Sequence, residues 1–348
     1  MKFDDLILVT GAAGFIGSHL TEVLLSQGNR VRAMVHYNFR NNWGWLEDIL
    51  GDRMNQPAKT TPLGVLYSDF PGGGSLEVIT GDIQDPFFVD KAVDGCKTVF
   101  HLAALIAIPY SYVAPVSYVS TNVNGTLNVL EACRKHQVTR LVHTSTSEVY
   151  GTAQYVPIDE KHPLAGQSPY SASKIGADHL AESFYRSFDL PVSIIRPFNT
   201  FGPRQSARAV IPAIIAQALA GTKEIRLGSI EPVRDLNYVM DTVAAFAAVA
   251  SSGHSVGRAI NIGRGEGISI GELAKTILQI CGSRSEIVTE KERVRPEKSE
   301  VRELVCDCSL ARELLGWKHR YSLQQGLEET VAWIRPRLHL YKPWIYNI

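Results

Sequence analysis

The beginning of the chain constrains its fold more than any other stretch. The run Leu6-Ile7-Leu8-Val9 has the character of a buried strand. It leads at once into Thr10-Gly11-Ala12-Ala13-Gly14-Phe15-Ile16-Gly17, and a helix-period pattern follows over Ile16–Gln27. The glycine spacing is G-x-x-G-x-x-G. Gly11 and Gly14 allow a tight turn and a close backbone approach to a pyrophosphate, and Gly17 lets the helix lie flat on the strand. The helix amino terminus then offers unpaired N–H groups and a favourable dipole to an anion. Glycine spacing alone is weak, but glycines between a strand and a helix identify a dinucleotide site. Gly11, Ala13, Gly14, Phe15, Ile16 and Gly17 are its phosphate-side candidates.

The first 200 residues repeat that rhythm. Short strand-like runs at Val31–Val35, Leu76–Ile79, Thr98–His101, Leu141–Thr144 and Val192–Arg196 alternate with helical stretches such as Thr121–His136 and Tyr170–Phe188. Such alternation builds a parallel sheet covered by helices on both faces. The expected fold class is therefore α/β, a Rossmann-type doubly wound parallel sheet, with ligands at the carboxyl ends of its strands. Beyond residue 200 the pattern is mixed, with helices expected near Val210–Ala220, Val243–Ala250, Ser269–Cys281 and Leu310–Leu315. This predicts a dinucleotide-binding domain with the catalytic residues over 1–197. A smaller mixed C-terminal lobe, mainly for substrate, follows over 198–348, with the chain partly interleaved between the two. Residues 52–75 hold Pro57, Pro62, Pro71 and Gly72-Gly73-Gly74 and read as a long surface loop.

Charge narrows the partners. The 348 residues carry 35 Lys and Arg against 35 Asp and Glu, which argues against the basic surface of a nucleic-acid binder. The balance hides an asymmetry. Residues 1–150 hold 11 basic and 14 acidic side chains, leaving 24 and 21 beyond. No apolar run approaches a membrane span, and Met1 to Asp5 runs straight into the first strand without the look of a secretory leader. The five cysteines are odd in number and scattered, and Cys306-x-Cys308 lacks a second pair at metal spacing. They read as reduced thiols of a cytoplasmic protein, with no metal expected.

An NAD site usually ends its second strand with an acid for the ribose. Here that end reads Val35-His36-Tyr37-Asn38-Phe39-Arg40. His36 and Arg40 suit a 2′-phosphate, so NADP is slightly favoured over NAD. Asp82 and Ile83, after the third strand, suit the adenine, and Leu102, Ala103 and Ala104, after the fourth, line the dinucleotide. Tyr170-Ser171-Ala172-Ser173-Lys174 puts Tyr170 and Lys174 on one helix face, where an ammonium favours the phenolate and makes tyrosine a usable base. Thr146 lies at a strand end 24 residues upstream, with a hydroxyl for the same substrate oxygen.

The glycine cradle, Thr146, Tyr170 and Lys174 in this order resemble the extended short-chain dehydrogenase/reductase superfamily. The resemblance extends through Arg196-Pro197-Phe198-Asn199-Thr200-Phe201-Gly202-Pro203-Arg204, Arg234-Asp235-Leu236-Asn237-Tyr238-Val239 and Leu315-Gly316-Trp317. It implies a nucleotide-diphosphate sugar as substrate, with Asn199, Arg204, Arg234 and Arg295 toward the diphosphate and Asn261 near the nucleotide. Arginine's planar fork suits phosphate. Thr146-Ser147-Glu148 is similar to the strand-end motif of the nucleotide-sugar 4,6-dehydratases, where Glu148 is an extra acid–base group beside Thr146 and Ser147. Tyr37-Asn38, Trp43-Gly44-Trp45-Leu46-Glu47 and residues 203–212 look most like the N-acetylglucosamine 4,6-dehydratases of legionaminic acid biosynthesis. The resemblance thus implies a lyase with a tightly bound NAD(P), acting on GDP- or UDP-N-acetylglucosamine. It also implies a homodimer through helices 115–136 and 170–188. UDP-glucuronate decarboxylase, nucleotide-sugar 4-epimerase and a dinucleotide-sensing binding protein are the alternatives.

Overall fold

The computed structural model describes Phe3 and residues 5–346. In chain order its strands are β1 (Leu6–Thr10), β2 (Arg30–His36), β3 (Lys59–Thr60), β4 (Gly64–Phe70), β5 (Gly74–Gly81), β6 (Cys96–His101), β7 (Arg140–Thr144), β8 (Val192–Pro197), β9 (Asn199–Phe201), β10 (Glu224–Leu227), β11 (Val233–Tyr238), β12 (Ala259–Ile262), β13 (Gly267–Ser269), β14 (Glu286–Thr289) and β15 (Glu303–Leu304). Nine form the main sheet, in the order β12-β8-β7-β6-β1-β2-β5-β4-β3. The seven from β12 to β5 pair in parallel. Helices cover both faces, so central strands carry continuous apolar runs instead of alternating ones. Ile7, Leu8 and Val9 are each fully buried. The strand order reverses at β1, between β2 and β6, and the carboxyl ends of β1 and β6 open there as a crevice.

Residues 52–75 are not a loop. After a short helical turn at Gly51–Asn55 the chain makes β3 and β4, an antiparallel hairpin hydrogen-bonded to β5. The prolines and glycines obscured a strand whose Tyr67 and Phe70 are buried. Without the hairpin, β5 would expose a row of unpaired backbone groups. Glu77 fastens the addition. It accepts a 2.6 Å hydrogen bond from Thr61 on the hairpin and a 2.7 Å bond from Arg32 on β2.

The helix expected over 121–136 also differs. A wide π-turn over Val119–Asn124 precedes a regular helix, Gly125–Lys135. Asn122, in that turn, reaches sideways for partners outside its own helix, and such turns commonly mark functional positions. The Pro169–Phe188 helix starts cleanly. Ser168 and Ser171 form a reciprocal capping box and Pro169 opens the first turn, a position where its missing N–H costs nothing.

Beyond residue 198 the chain builds a second layer. β11 pairs in parallel with β9 and β15 and antiparallel with β13, and β10 pairs with β14. The chain also returns to the main sheet, because β12 is the strand beyond β8. Among the described residues no helix is long and apolar enough to cross a membrane.

Asp235 ties this second layer together. It is fully buried, and its carboxylate accepts hydrogen bonds from the backbone N–H groups of Arg264, Gly265 and Cys306. Asp235→Ala would orphan three buried donors, each costing about 1–3 kcal/mol. We expect a loss of about 3 kcal/mol or more in urea denaturation, and Asp235→Asn should lose less because it keeps one acceptor.

Candidate active site

At the end of β1 the backbone turns with Gly11 at φ +69°. A Cβ on Gly11 would meet the Ala103 nitrogen at 2.8 Å, and one on Gly17 would lie 2.2 Å from the Gly11 carbonyl oxygen. The turn and the Phe15–Ser26 helix are therefore in backbone contact, and only glycine fits. Gly14 caps the helix without a side chain, and the first turn holds no acid. Its amides thus face the crevice unclaimed by any side-chain cap, which suits a pyrophosphate. Thr10 supports the turn from below. Its hydroxyl accepts the N–H groups of Leu102 and Ala103, both at 3.1 Å, and lies 2.9 Å from His101 Nδ1. Ala13 packs against Gly44 and its carbonyl receives the Trp45 N–H.

The sugar-facing corner at the end of β2 is exposed. His36 Nδ1 is 3.8 Å from the Asp82 carboxylate, so Asp82, from the end of β5, brings an acid to the corner where β2 has none. Arg40 is exposed, with its guanidinium 5.5 Å from the Phe39 ring. Ile83 turns inward against Gly125, and its carbonyl accepts Asn128. Leu102, Ala103 and Ala104 are half-buried beside the cradle.

Tyr170, Lys174 and Asp178 stand one turn apart on the Pro169–Phe188 helix, all three buried. Thr146 caps the short turn after β7, accepting the Glu148 N–H at 3.2 Å. Burial pushes the Tyr170 phenol up, a hydrogen bond with Thr146 lowers it, and the nearby Glu148 charge raises it again. The expectation that Lys174 would make the phenol acidic is not met in this state. Both groups are shut off from water, and Lys174 Nζ donates to the Thr144 carbonyl at 2.6 Å. Burial brings Lys174 itself down to about 8, against the pull of Asp178. Glu148 also acts on Arg234, whose guanidinium is lowered chiefly by burial. Thr146, Glu148, Tyr170 and Arg234 therefore share one cleft, and Ser147 is buried beside them.

Arg234 and Arg295 converge on Glu300, at 3.4 and 3.7 Å. The Asn199 amide oxygen and the Arg295 NH1 are buried without hydrogen-bond partners, and buried polar atoms of this kind require a partner. Arg204 and Asn261 lie elsewhere. Arg204 crosses to the Phe15–Ser26 helix, 2.7 Å from Glu22, with Trp333 beside it. Its charge is spent joining the lobes. Asn261 is fully buried; its side chain accepts the Tyr150 hydroxyl and donates to the Ile158 carbonyl. Its amide oxygen and nitrogen are both engaged inside the fold.

Sequence reasoning missed the support behind these residues. His101 Nε2 lies 3.0 Å from the Thr126 hydroxyl, which donates to the Asn122 carbonyl. Asn122 pairs both ways with Leu105 and donates to Ser173. His143, Ser145 and Arg196 surround Asp178. Asp178 was legible as the fourth residue beyond Lys174, on the same helix face. The others come from distant strands, and no local spacing announces them.

The chain matches the family described as GDP-mannose 4,6 dehydratase over residues 8–330. It is 32% identical over 337 residues to a dTDP-glucose 4,6-dehydratase of Streptomyces antibioticus, covering 97% of this chain and 94% of that one. It is 30% identical over 335 residues to a putative UDP-glucose 4-epimerase of Methanocaldococcus jannaschii, covering 95% and 98%. The solved structure of DesIV, a dTDP-glucose 4,6-dehydratase of Streptomyces venezuelae, in a double-mutant form with NAD bound, matches with a TM-score of 0.82. That match has 27% identity and covers 97% of this chain and 99% of that one.

Burial holds His19, His101 and His143 below the ordinary histidine value, His19 at about 4. The unfolded chain protonates these rings near pH 6.5 and the folded chain does not. Their stabilising contribution is therefore present above that pH and declines below it, by up to about 1.4 kcal/mol per pH unit for each ring. Urea denaturation at pH 7 and pH 5.5 should show lower stability at the acid value. His19→Gln should flatten the dependence.

Proposed function

The chain belongs to the GDP-mannose 4,6 dehydratase family, and from that premise we propose that it is a nucleotide-sugar 4,6-dehydratase dependent on NAD or NADP. The observation that carries this reading is Glu148. A half-buried carboxylate stands within electrostatic reach of Tyr170, beside the Thr146 that bonds the phenol. Oxidation at a sugar C4 alone has no use for a second acid–base group there; removing the neighbouring C5 proton does.

The cradle of Gly11, Ala13, Gly14, Phe15, Ile16 and Gly17 fits a dinucleotide pyrophosphate, because its unclaimed amides and the bare backbone at Gly11, Gly14 and Gly17 leave room for one. Asp82, Ala103 and Ala104 would lie along the adenosine side, and Tyr170 and Lys174 along the nicotinamide side. When bound, the dinucleotide supplies hydride acceptance at C4 and its return at C6. NADP is favoured by exposed His36 and Arg40, whereas Asp82 beside His36 suits NAD.

The chain's own residues handle the protons. Thr146 and Tyr170 hold the sugar 4-hydroxyl, and Tyr170 takes its proton. In the free protein burial outweighs the Lys174 ammonium and keeps the phenol neutral; the positive charge of a bound oxidised nicotinamide, added to that of Lys174, would favour the phenolate that takes the proton. A ketone at C4 acidifies the C5 hydrogen, and Glu148 removes it. The 6-hydroxyl leaves as water on a proton from Glu148, since the Ser147 hydroxyl is a far poorer acid. Glu148 then returns a solvent-derived proton to C5, balanced by the proton that Tyr170 releases. Arg234 and Arg295 hold the diphosphate, because their guanidinium groups converge on Glu300 beside the cleft and Arg295 NH1 is left without a hydrogen bond, and Asn199 donates to it through its amide nitrogen.

A nucleotide-linked N-acetylglucosamine, on GDP or UDP, is the substrate favoured by residues 37–47 and 203–212, which resemble the legionaminic acid pathway enzymes. The first of these loops is well knit. Asn38 accepts the Arg40 and Asn42 N–H groups, and Glu47 accepts from Asn42 and Trp43. A homodimer is supported by exposed Val116 and Val119 at the start of one expected interface helix and Tyr185 and Phe188 near the end of the other. Kinship to the Methanocaldococcus protein favours one other reading, a 4-epimerase.

Glu148→Gln separates the two. In deuterated water the unaltered protein should place solvent deuterium at C5, and the variant should not, with dinucleotide affinity unchanged. Exchange retained in the variant removes Glu148 as the base, and no exchange in the unaltered protein points to epimerisation. Gly17→Ala should weaken dinucleotide binding at least about tenfold, or about 1.4 kcal/mol, in a fluorescence titration. A methyl 2.2 Å from the Gly11 carbonyl oxygen must push helix and strand apart.

A further inference from the structure

Behind the Tyr170–Lys174 pair lies a cluster of buried charge for which the proton steps above have no use. Asp178 is fully buried, one turn beyond Lys174. One carboxylate oxygen accepts the Ser145 hydroxyl at 2.7 Å and the Arg196 Nε and NH2 at 3.2 and 3.0 Å. The other lies 3.2 Å from His143 Nε2. Arg196 is anchored on its far side, donating to the Tyr150 hydroxyl at 3.0 Å, and Tyr150 donates in turn to Asn261. Asp178 is therefore rigid, and so is the arginine that holds it.

We propose that Asp178 is a positioning residue of this active site, the fixed counter-ion that keeps Lys174 an ammonium where water cannot reach it. The role rests on the Tyr170–Lys174 acid–base reading above. An isolated ammonium in such a place sheds its proton, because burial penalises the charged form.

The groups facing Lys174 single out Asp178. His101 on β6 and His143 on β7 are both held neutral by burial and by the Lys174 charge. Arg196 on β8 is a cation already engaged by Asp178 and Tyr150. Tyr170, on the same helix, is held protonated by burial, and Glu148 acts on that phenol, whereas the charge that acts on Lys174 is Asp178. Asp178 is the carboxylate among these groups that supports the Lys174 charge, and it is itself held ionised, against burial, by His143, Arg196 and Lys174. One carboxylate thus serves two cations. Arg196 fixes its position, and Lys174 takes its field. A plain structural salt bridge would need only Arg196 and would leave the lysine unaffected.

The test follows the lysine directly. Protein carrying 15N-labelled lysine is titrated by NMR without substrate, and Lys174 is assigned with Lys174→Met. The Nζ midpoint should lie near 8, fall by about one unit or more in Asp178→Asn, and stay close to the original value in Asp178→Glu. If Asp178→Asn does not fold, the double variant Asp178→Asn/Arg196→Met removes the orphaned cation as well and should show the same fall. The alkaline limb of turnover should move with the midpoint. A midpoint unchanged in a folded variant overturns the proposal and leaves Asp178 as Arg196's structural partner. Turnover absent on every nucleotide sugar, with the NMR shift present, counts against the enzymatic reading alone.

Discussion

The site depends on the contact between Gly17 and the Gly11 carbonyl, where helix and strand touch backbone to backbone with no room for a methyl group. That contact puts the helix amino terminus over the end of β1 and brings Gly11 against Ala103 at the end of β6. From there a line of hydrogen bonds runs through the interior, from Thr10 to His101, to Thr126, to the Asn122 backbone, and through the Asn122 side chain to Ser173. Ser173 lies on the helix that carries Tyr170 and Lys174. The glycine turn and the helix of Tyr170 and Lys174 are therefore parts of one bonded unit. Moving either displaces the other, which is how tolerances well under an ångström are kept at reacting atoms.

Charge is the second constraint. The chain is neutral overall, yet Lys174, Asp178 and Arg196 are buried together, and Arg234, Arg295, Glu300 and Glu148 line the adjoining cleft. Each buried charge has an opposite neighbour, as the cost of desolvation demands. The basic excess beyond residue 150 divides in two. Arg234 and Arg295 stay at the cleft, whereas Arg204 bridges to Glu22 in the acidic first half and joins the lobes. The charge imbalance between the halves is thus partly the means by which they hold together.

The sequence was legible where local pattern and tertiary role coincide. Buried parallel strands show as apolar runs, the glycine turn as glycines between strand and helix, and the shared face of Tyr170 and Lys174 as residues four apart. Legibility failed in two physical situations. At residues 64–70 the hairpin is stabilised by the open edge of β5, a partner that composition does not reveal, and its prolines and glycines imitated a loop. At Asn261 and Arg204 family position suggested ligands, but side-chain direction is fixed by the packing of distant elements. Tyr150, Ile158 and Glu22 had already claimed those groups. The Tyr170 phenol shows the same limit, since spacing placed an ammonium beside it but said nothing of burial strong enough to outweigh that charge.

The reaction proposed for this cleft oxidises C4, expels water across C5 and C6, and restores the hydride to C6. The most direct measurement uses a nucleotide-linked N-acetylglucosamine deuterated at C4, incubated with the protein and no added reductant, with the product read by mass spectrometry and NMR. The account predicts a product lighter by one water, with the deuterium moved to C6. A product of unchanged mass with deuterium still at C4 would contradict it.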